Sequence, residues 1–317
     1  MQGQHHKMFV ETDYANSSEY EQFWLDLASG KSHTGEFKRL NKSGDEVHIQ
    51  ASYTPVLDSN GKVEKVVKVA QDITEAVFNR TMFTESMEQA VDSIITIDGH
   101  TKEVTFMNAS AEKMFGYSRE EVLGQNVKMI VPTEHKAPHD GYVDANRETG
   151  VNKVVGSGRE IEIERKDGSR FWGYLSLSKV RIGGKLSYTA FIKDITSERF
   201  EKEKNIQTLE QCVDGVVTMN GKTKEITFMN SSAERMWGVK KKDVLGKNIK
   251  ELVPQALRAE HDSYVDANMN TGVNKIVGKG RDLQITRADG HIYWVNLTLT
   301  KVELDGETFY TAFVKDI

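Results

Sequence analysis

His139-Asp-Gly-Tyr-Val-Asp-Ala-Asn146 returns as His261-Asp-Ser-Tyr-Val-Asp-Ala-Asn268, 122 residues further along the chain. Outward from this run the same spacing holds. Thr105-Phe-Met-Asn108 recurs as Thr227-Phe-Met-Asn230, and Asp72-Ile73 recurs as Asp194-Ile195 and again as Asp316-Ile317. A period this long is a tandem of whole domains, because solenoid repeats run only ~20–50 residues. Gly3-Gln-His-His-Lys-Met-Phe-Val10 aligns with Gly124-Gln-Asn-Val-Lys-Met-Ile-Val131, so the first copy enters halfway through its own module. The chain is expected to be an excerpt of a longer protein, with any output domain past residue 317.

Composition narrows the class. The chain has 317 residues, a formal net charge of -5 and no basic block, so nucleic acid is not an expected partner. Its one cysteine, Cys212, rules out a disulfide framework and a multi-cysteine metal site and fits a reducing cytoplasm, the expected location. No run of ~18 apolar residues is present, so no membrane segment is expected.

Within the middle copy, Ile94–Ile97 and Val104–Met107 are β-rich runs on either side of a turn at 98–102. Asn108–Phe115 reads as a short helix ended by Gly116, Ser118-Arg-Glu-Glu121 as a capping box, and Pro132–Gly150 as a polar helical segment. Strands are expected at Arg159–Arg165, Arg170–Val180 and Leu186–Asp194, joined by turns at Lys166–Ser169 and Arg181–Gly184. Two strands, helices, then three strands make an α+β unit, an antiparallel sheet with helices on one face. Thr196–Val213 carries Phe200, Ile206 and Leu209 among charges. It suits an amphipathic linker helix that either pairs with a second chain, giving a homodimer, or packs on its own domain.

This order, with Asn108, Gly116-Tyr-Ser, Gly124-Gln-Asn and the closing Lys193-Asp-Ile-Thr196, resembles the PAS sensory domain. The resemblance implies the C-terminal half of a PAS domain at 1–74, a helical linker at 75–86, a complete domain at 87–196, a second linker at 197–208 and a second complete domain at 209–317. It implies a sensing and dimerisation module with no catalytic centre of its own. It also implies a pocket between sheet and helices that holds haem, flavin, a metabolite or nothing. The strand half in the leading copy (Gly35–Arg39, Ile49–Pro55 and Val66–Asp72) looks like PAS units of chemotaxis receptors, with a structural role expected.

Val131-Pro-Thr-Glu-His-Lys-Ala-Pro-His139-Asp-Gly-Tyr-Val is similar to the haem-PAS oxygen sensors, both the oxygen-sensor kinases of nitrogen fixation and the direct oxygen-sensing phosphodiesterases. The resemblance implies haem b with His139 and His261 as iron ligands, and neutral imidazole is a standard haem ligand. It gives Arg159 and Arg281 a role toward a haem propionate or bound oxygen. Val154, Leu175 and Leu177, with Ile276, Leu297 and Leu299, become the apolar residues over the distal face. Strand alternation puts Leu175 and Leu177 on one face and Trp172 and Tyr174 on the other. Tyr188 and Tyr310 could donate to a bound gas. The plainer reading, a strand tyrosine with its hydroxyl at the surface, is preferred.

Departures are visible. Ser157 and Lys279 stand where the phosphodiesterase-type sensors have a ligating methionine. Ala145 and Ala267 stand where the kinases have a propionate-binding arginine, with Lys153 or Lys275 as substitutes. His135 rivals His139, but the last copy has Leu257 there. The motif could also be a helix surface pattern in a PAS domain without haem. No cysteine is placed for a flavin photoadduct, since Cys212 lies in the linker; non-covalent FAD, served by Trp172 or Trp294, stays open.

No phosphate-cradling Gly-Lys-Ser/Thr loop, zinc His-Glu-x-x-His or nucleophile elbow occurs, so no enzymatic activity is expected. The expected function is a haem-based sensor of a diatomic gas, oxygen first, that relays to a chemoreceptor signalling domain or a histidine kinase domain. The alternatives are a cofactor-free dimerisation scaffold and an FAD redox sensor.

Overall fold

The structure is a computed structural model that describes residues 3–151, 154–273 and 277–317. The chain divides into two compact units, Met1–Asp194 and Ile195–Ile317. The first opens with short helix α1 (Thr12–Ala15) and helix α2 (Ser18–Ala28), followed by strands β1 (His33–Leu40), β2 (Glu46–Leu57) and β3 (Val63–Asp72). These strands form an antiparallel sheet in the order β1-β2-β3. Phe23 and Leu27 of α2 pack on Ile49, Ala51 and Tyr53 of β2.

After helix α3 (Thr74–Glu88), β4 (Ser93–Asp98) and β5 (Val104–Met107) lead into α4 (Ala109–Phe115), α5 (Arg119–Val122) and α6 (Thr133–Thr149), then β6 (Gly158–Glu164), β7 (Arg170–Ile182) and β8 (Lys185–Asp194). The five strands are antiparallel in the order β5-β4-β8-β7-β6. The turn between β7 and β8 is tighter than the sequence suggests. Ile182 still pairs with Lys185, and Gly183 and Gly184 alone make the turn at φ 56° and 83°. A two-residue hairpin of this kind needs positive φ at both positions, which glycine supplies without strain.

The second unit repeats this plan with α7 (Thr196–Glu210), β9 (Gly215–Asn220), β10 (Ile226–Met229), α8 (Ser231–Trp237), α9 (Lys241–Val244), α10 (Arg258–Thr271), β11 (Arg281–Thr286), β12 (Ile292–Leu304) and β13 (Glu307–Asp316). Its sheet order is β10-β9-β13-β12-β11.

Asn108 organises the entry into its sheet. Its side chain is fully buried; Oδ1 accepts from Ala111 N, which caps α4, and from Ile94 N, while Nδ2 donates to Met87 O and Asp92 O, all within 3.0 Å. One amide thus ties α3, β4 and α4 together. Asn230 does the same for Ala233 N, Val216 N, Leu209 O and Asp214 O.

The two copies satisfy one helix-end carbonyl differently. Arg165 lies 4.0 Å over the Phe171 ring and donates to Met114 O, whereas in the second unit the Tyr293 hydroxyl donates to Met236 O. Burial of that phenol pushes its pKa up to about 12.

Both linker segments are helical, and each helix starts just after an Asp-Ile pair. At the first, Asp72 Oδ1 accepts from Thr74 N and Oγ1, and Thr74 Oγ1 accepts from His48 N at 2.9 Å. Neither helix buries a residue: Phe78, Met82 and Phe83 on α3 and Phe200 on α7 are exposed.

Candidate functional site

The inner face of the middle sheet is defined by register. Arg159 lies opposite Leu175, Leu175 opposite Ile192, and Ile192 opposite Ser93; in the next row Leu177 faces Ala190 and Ala190 faces Ile95. Cross-strand partners share a face, so Arg159, Leu175, Leu177 and Tyr188 stand on the side that carries the core. Leu175 and Ala190 pack directly on that core, together with Val143 of α6. The second unit repeats the arrangement with Arg281, Leu297, Leu299, Ala312 and Tyr310.

Trp172 and Trp294 fall on the opposite face, and Trp294 is exposed. Val155, the neighbour of the expected Val154, is the residue that pairs with Leu177 and packs on the core, while Val154 itself is half-buried. Ile276 lies outside the described residues, as do Lys153 and Lys275; Val277 pairs with Leu299.

His139 and His261 occupy the same place on α6 and α10. Each ring is half-buried, and each Nδ1 is buried with no hydrogen-bond partner. His261 Nδ1 lies 3.8 Å from Asp262 Oδ1, an ion-pair distance too long for a hydrogen bond. Burial lowers both imidazole pKa values, against the opposing pull of Asp140 and Asp262, so both rings are held neutral. Arg159 and Arg281 act in the same direction as burial, each side chain being exposed at the sheet edge. His135, the rival ligand, is exposed.

The aspartates beside the histidines anchor their helices. Asp140 pairs with Lys128 at 2.8 Å and Asp262 with Lys250 at 2.7 Å. Further along each helix an asparagine reaches the sheet, and the preferred sequence reading of the tyrosines is overturned there. Tyr188 is 6% and Tyr310 5% exposed; their hydroxyls donate to Asn146 Oδ1 at 2.8 Å and Asn268 Oδ1 at 2.6 Å. The strand alternation is as expected, but the helix covers that end of the strand, so the phenols are not at the surface. Lys179 adds a second bond to Asn146 Oδ1, at 2.9 Å. Asn146 and Asn268 close the repeated run, yet the sequence reading gave them no role. Their signal was identity at a fixed seven-residue offset from the histidine.

These residues fit a haem in one respect. Among the described residues no three His, Cys, Asp or Glu side chains gather as a metal set, but a haem iron needs only one protein ligand. An unpartnered imidazole on α6, the helix that also packs Val143 on the core, meets that need.

A PAS domain model matches residues 91–197 and 213–317, and a PAS fold model matches residues 1–70. Oxygen sensor protein DosP of Escherichia coli K12 is 39% identical over 128 residues, 40% of this chain and 16% of that protein. Sensor protein FixL of Bradyrhizobium diazoefficiens is 27% identical over 188 residues, 57% of this chain and 35% of that protein. Biofilm dispersion protein BdlA of Pseudomonas aeruginosa is 35% identical over 85 residues, 27% of this chain and 20% of that protein. The chain spans about a third or less of the length of each of these relatives. No described helix is long and apolar enough to cross a membrane. The sheet order, the capped helices on the inner face and the matched segments converge on one conclusion: the chain belongs to the PAS domain family, with its domains in tandem.

Proposed function

We propose that this chain is the non-catalytic input region of a sensory protein, in which the PAS domains at 87–196 and 209–317 hold b-type haem through His139 and His261 and sense oxygen or another diatomic gas. The observation that supports this most is the pair of neutral imidazoles at one register, each with a buried ring nitrogen that lacks a partner. The name of the relative that is 39% identical, an oxygen sensor protein, favours the same reading.

When bound, haem supplies an iron position at which a diatomic gas binds. Desolvation keeps His139 and His261 in the neutral form that can coordinate. Leu175, Leu177, Leu297 and Leu299 keep water from the inner face. Arg159 and Arg281, at the edge of that face, would bring positive charge to a haem propionate or to the gas. Tyr188 and Tyr310 are positioning residues, because their protons are already given to the helix asparagines. A change at the inner face passes along β8 to Asp194 and on to α7, which leads toward an output domain of the chemoreceptor or histidine kinase type. The exposed apolar residues of α3 and α7 are the proposed homodimer contacts.

A second reading, a PAS scaffold without cofactor, is favoured by the closure of α6 on the sheet through Tyr188, Lys179 and Val143. The ultraviolet–visible spectrum of haem-reconstituted protein decides. The gas-sensor reading expects a Soret band that falls with His139→Ala, falls with His261→Ala and vanishes in the double variant. Folded wild type with no Soret band leaves the scaffold.

A further inference from the structure

The chain contains two Asn-Gly pairs, Asn60-Gly61 and Asn220-Gly221. In such a pair the glycine nitrogen can attack the asparagine side-chain carbon, because glycine has no Cβ to obstruct the approach. The attack needs a side chain free to turn, an amide nitrogen that is not tightly hydrogen-bonded, and water at hand. The fold meets these conditions at one pair and denies them at the other.

Asn60-Gly61 lies in the loop between β2 and β3. Asp58 shapes that loop, its Oδ1 accepting from Asn60 N at 2.8 Å and from Lys62 N at 2.9 Å. Both residues of the pair are exposed, and the Asn60 side chain has no hydrogen-bond partner among the described residues. Gly61 takes φ 78°, with open space where a Cβ would stand. Its N–H donates to Asp58 O at 3.1 Å, near the long end of the usual range. Asn220-Gly221, between β9 and β10, is locked instead. Asn220 Oδ1 accepts from Lys222 N at 2.9 Å and from Thr223 N at 3.1 Å, which fixes the side chain. Gly221 is buried, and its N–H donates to Thr308 O at 2.7 Å. Charge adds to this protection. At the matching place the middle domain has Asp98, with Lys185 where the last domain has Glu307. A carboxylate at 220 would therefore face Glu307, whose Oε2 lies 3.5 Å from Asn220 Nδ2.

We propose that Asn60 is a site of spontaneous covalent modification in the folded protein, converting to aspartate and isoaspartate through a cyclic imide, and that the fold protects Asn220 from the same reaction. Gly61 N loses its proton and bonds to Asn60 Cγ; the Cγ–Nδ2 bond breaks and ammonia leaves with that proton. Water then opens the five-membered ring. Attack at Cγ gives aspartate in the ordinary main chain, and attack at the backbone carbonyl carbon routes the main chain through Cβ and Cγ as isoaspartate. The net change is gain of water and loss of ammonia, with no oxidation. Either product places a second carboxylate beside Asp58. The isoaspartate also lengthens a hairpin loop whose length sets the register of β2 against β3.

The test is to incubate the full 317-residue chain in mildly alkaline buffer, folded and in urea, and to follow the peptides that carry each pair by mass spectrometry. In the folded chain the peptide with Asn60 is expected to gain the mass of an amide-to-acid exchange and to split into aspartate and isoaspartate isomers, while the peptide with Asn220 stays intact. In urea both peptides should convert at similar rates. Asn60→Gln and Gly61→Ala should each suppress the conversion at that loop, the first without altering the glycine that its turn requires. Three outcomes overturn the proposal: Asn60 stays intact in the folded chain while it converts in urea, Asn220 converts as fast as Asn60 in the folded chain, or aspartate forms at 60 with no isoaspartate, which would mean direct hydrolysis without the ring.

Discussion

At the scale of single residues, Asn108 shows how much one side chain can carry. Its amide makes four hydrogen bonds with no exposure to water, joining α3, β4 and α4. Asn108→Ala leaves buried backbone groups unpaired, each worth ~1–3 kcal/mol, so a loss of about 3 kcal/mol is expected in urea unfolding of the first unit. Asn108→Asp turns a carboxylate oxygen toward the Met87 and Asp92 carbonyls in a fully buried place, and should cost at least as much as Asn108→Ala near neutral pH. His6 offers a pH test. Burial first, then the charges of Arg39 and Lys68, lower its pKa to about 4. The unfolded value is about 6.5, so between those two pH values the unfolded chain takes up a proton that the folded chain refuses. Stability from neutral His6 is therefore complete above about pH 6.5 and is lost as pH falls toward about 4. Melting temperature followed from pH 7 to pH 4 should fall less steeply in His6→Gln than in wild type.

At the scale of elements, the contact that matters most is the one between the histidine helix and the sheet. Tyr188→Phe removes a buried hydrogen bond worth about 1 kcal/mol while keeping the ring in the core. Lys179 still holds Asn146, so α6 should loosen without detaching. Hydrogen exchange is expected to speed up across 140–149 and stay unchanged in β4 and β8; equal protection in wild type and variant would remove the tyrosine from any part in holding the helix. The strands, the αL glycine ending α4 and the capping box of α5 were legible, because alternation, Gly116 and Ser118-Arg-Glu-Glu121 are local signals. The destination of the Tyr188 hydroxyl was not. Alternation reports which face a side chain takes, whereas what covers that face depends on a partner 42 residues away. The pairing of Val155 was also out of reach, since it is placed by an isolated parallel bridge to Leu177 rather than by a strand with a period of its own. The burial of Arg39 was equally hidden, because an arginine in a strand normally reads as a solvated edge.

At the scale of the whole molecule, the repeat in sequence becomes a repeat of separate cores rather than one shared interior. Ile163 is buried among Ile95, Val104, Phe115 and Phe171 of the middle domain, and Ile226 among Val217, Met229, Val295 and Val314 of the last. Each is about 2% exposed or less. Truncating a buried isoleucine to alanine costs ~2–5 kcal/mol through lost burial and the cavity left behind. Because each cavity opens within its own core, the cost should stay in that domain. Calorimetry should therefore show Ile163→Ala lowering one unfolding transition and Ile226→Ala lowering a different one, with the double variant showing both shifts at their single-variant size. A common shift of every transition by either substitution would mean that the domains unfold as one cooperative body. In that case a change in one core would be felt by the next domain through the fold itself, and α7 would act as more than a link between two PAS domains.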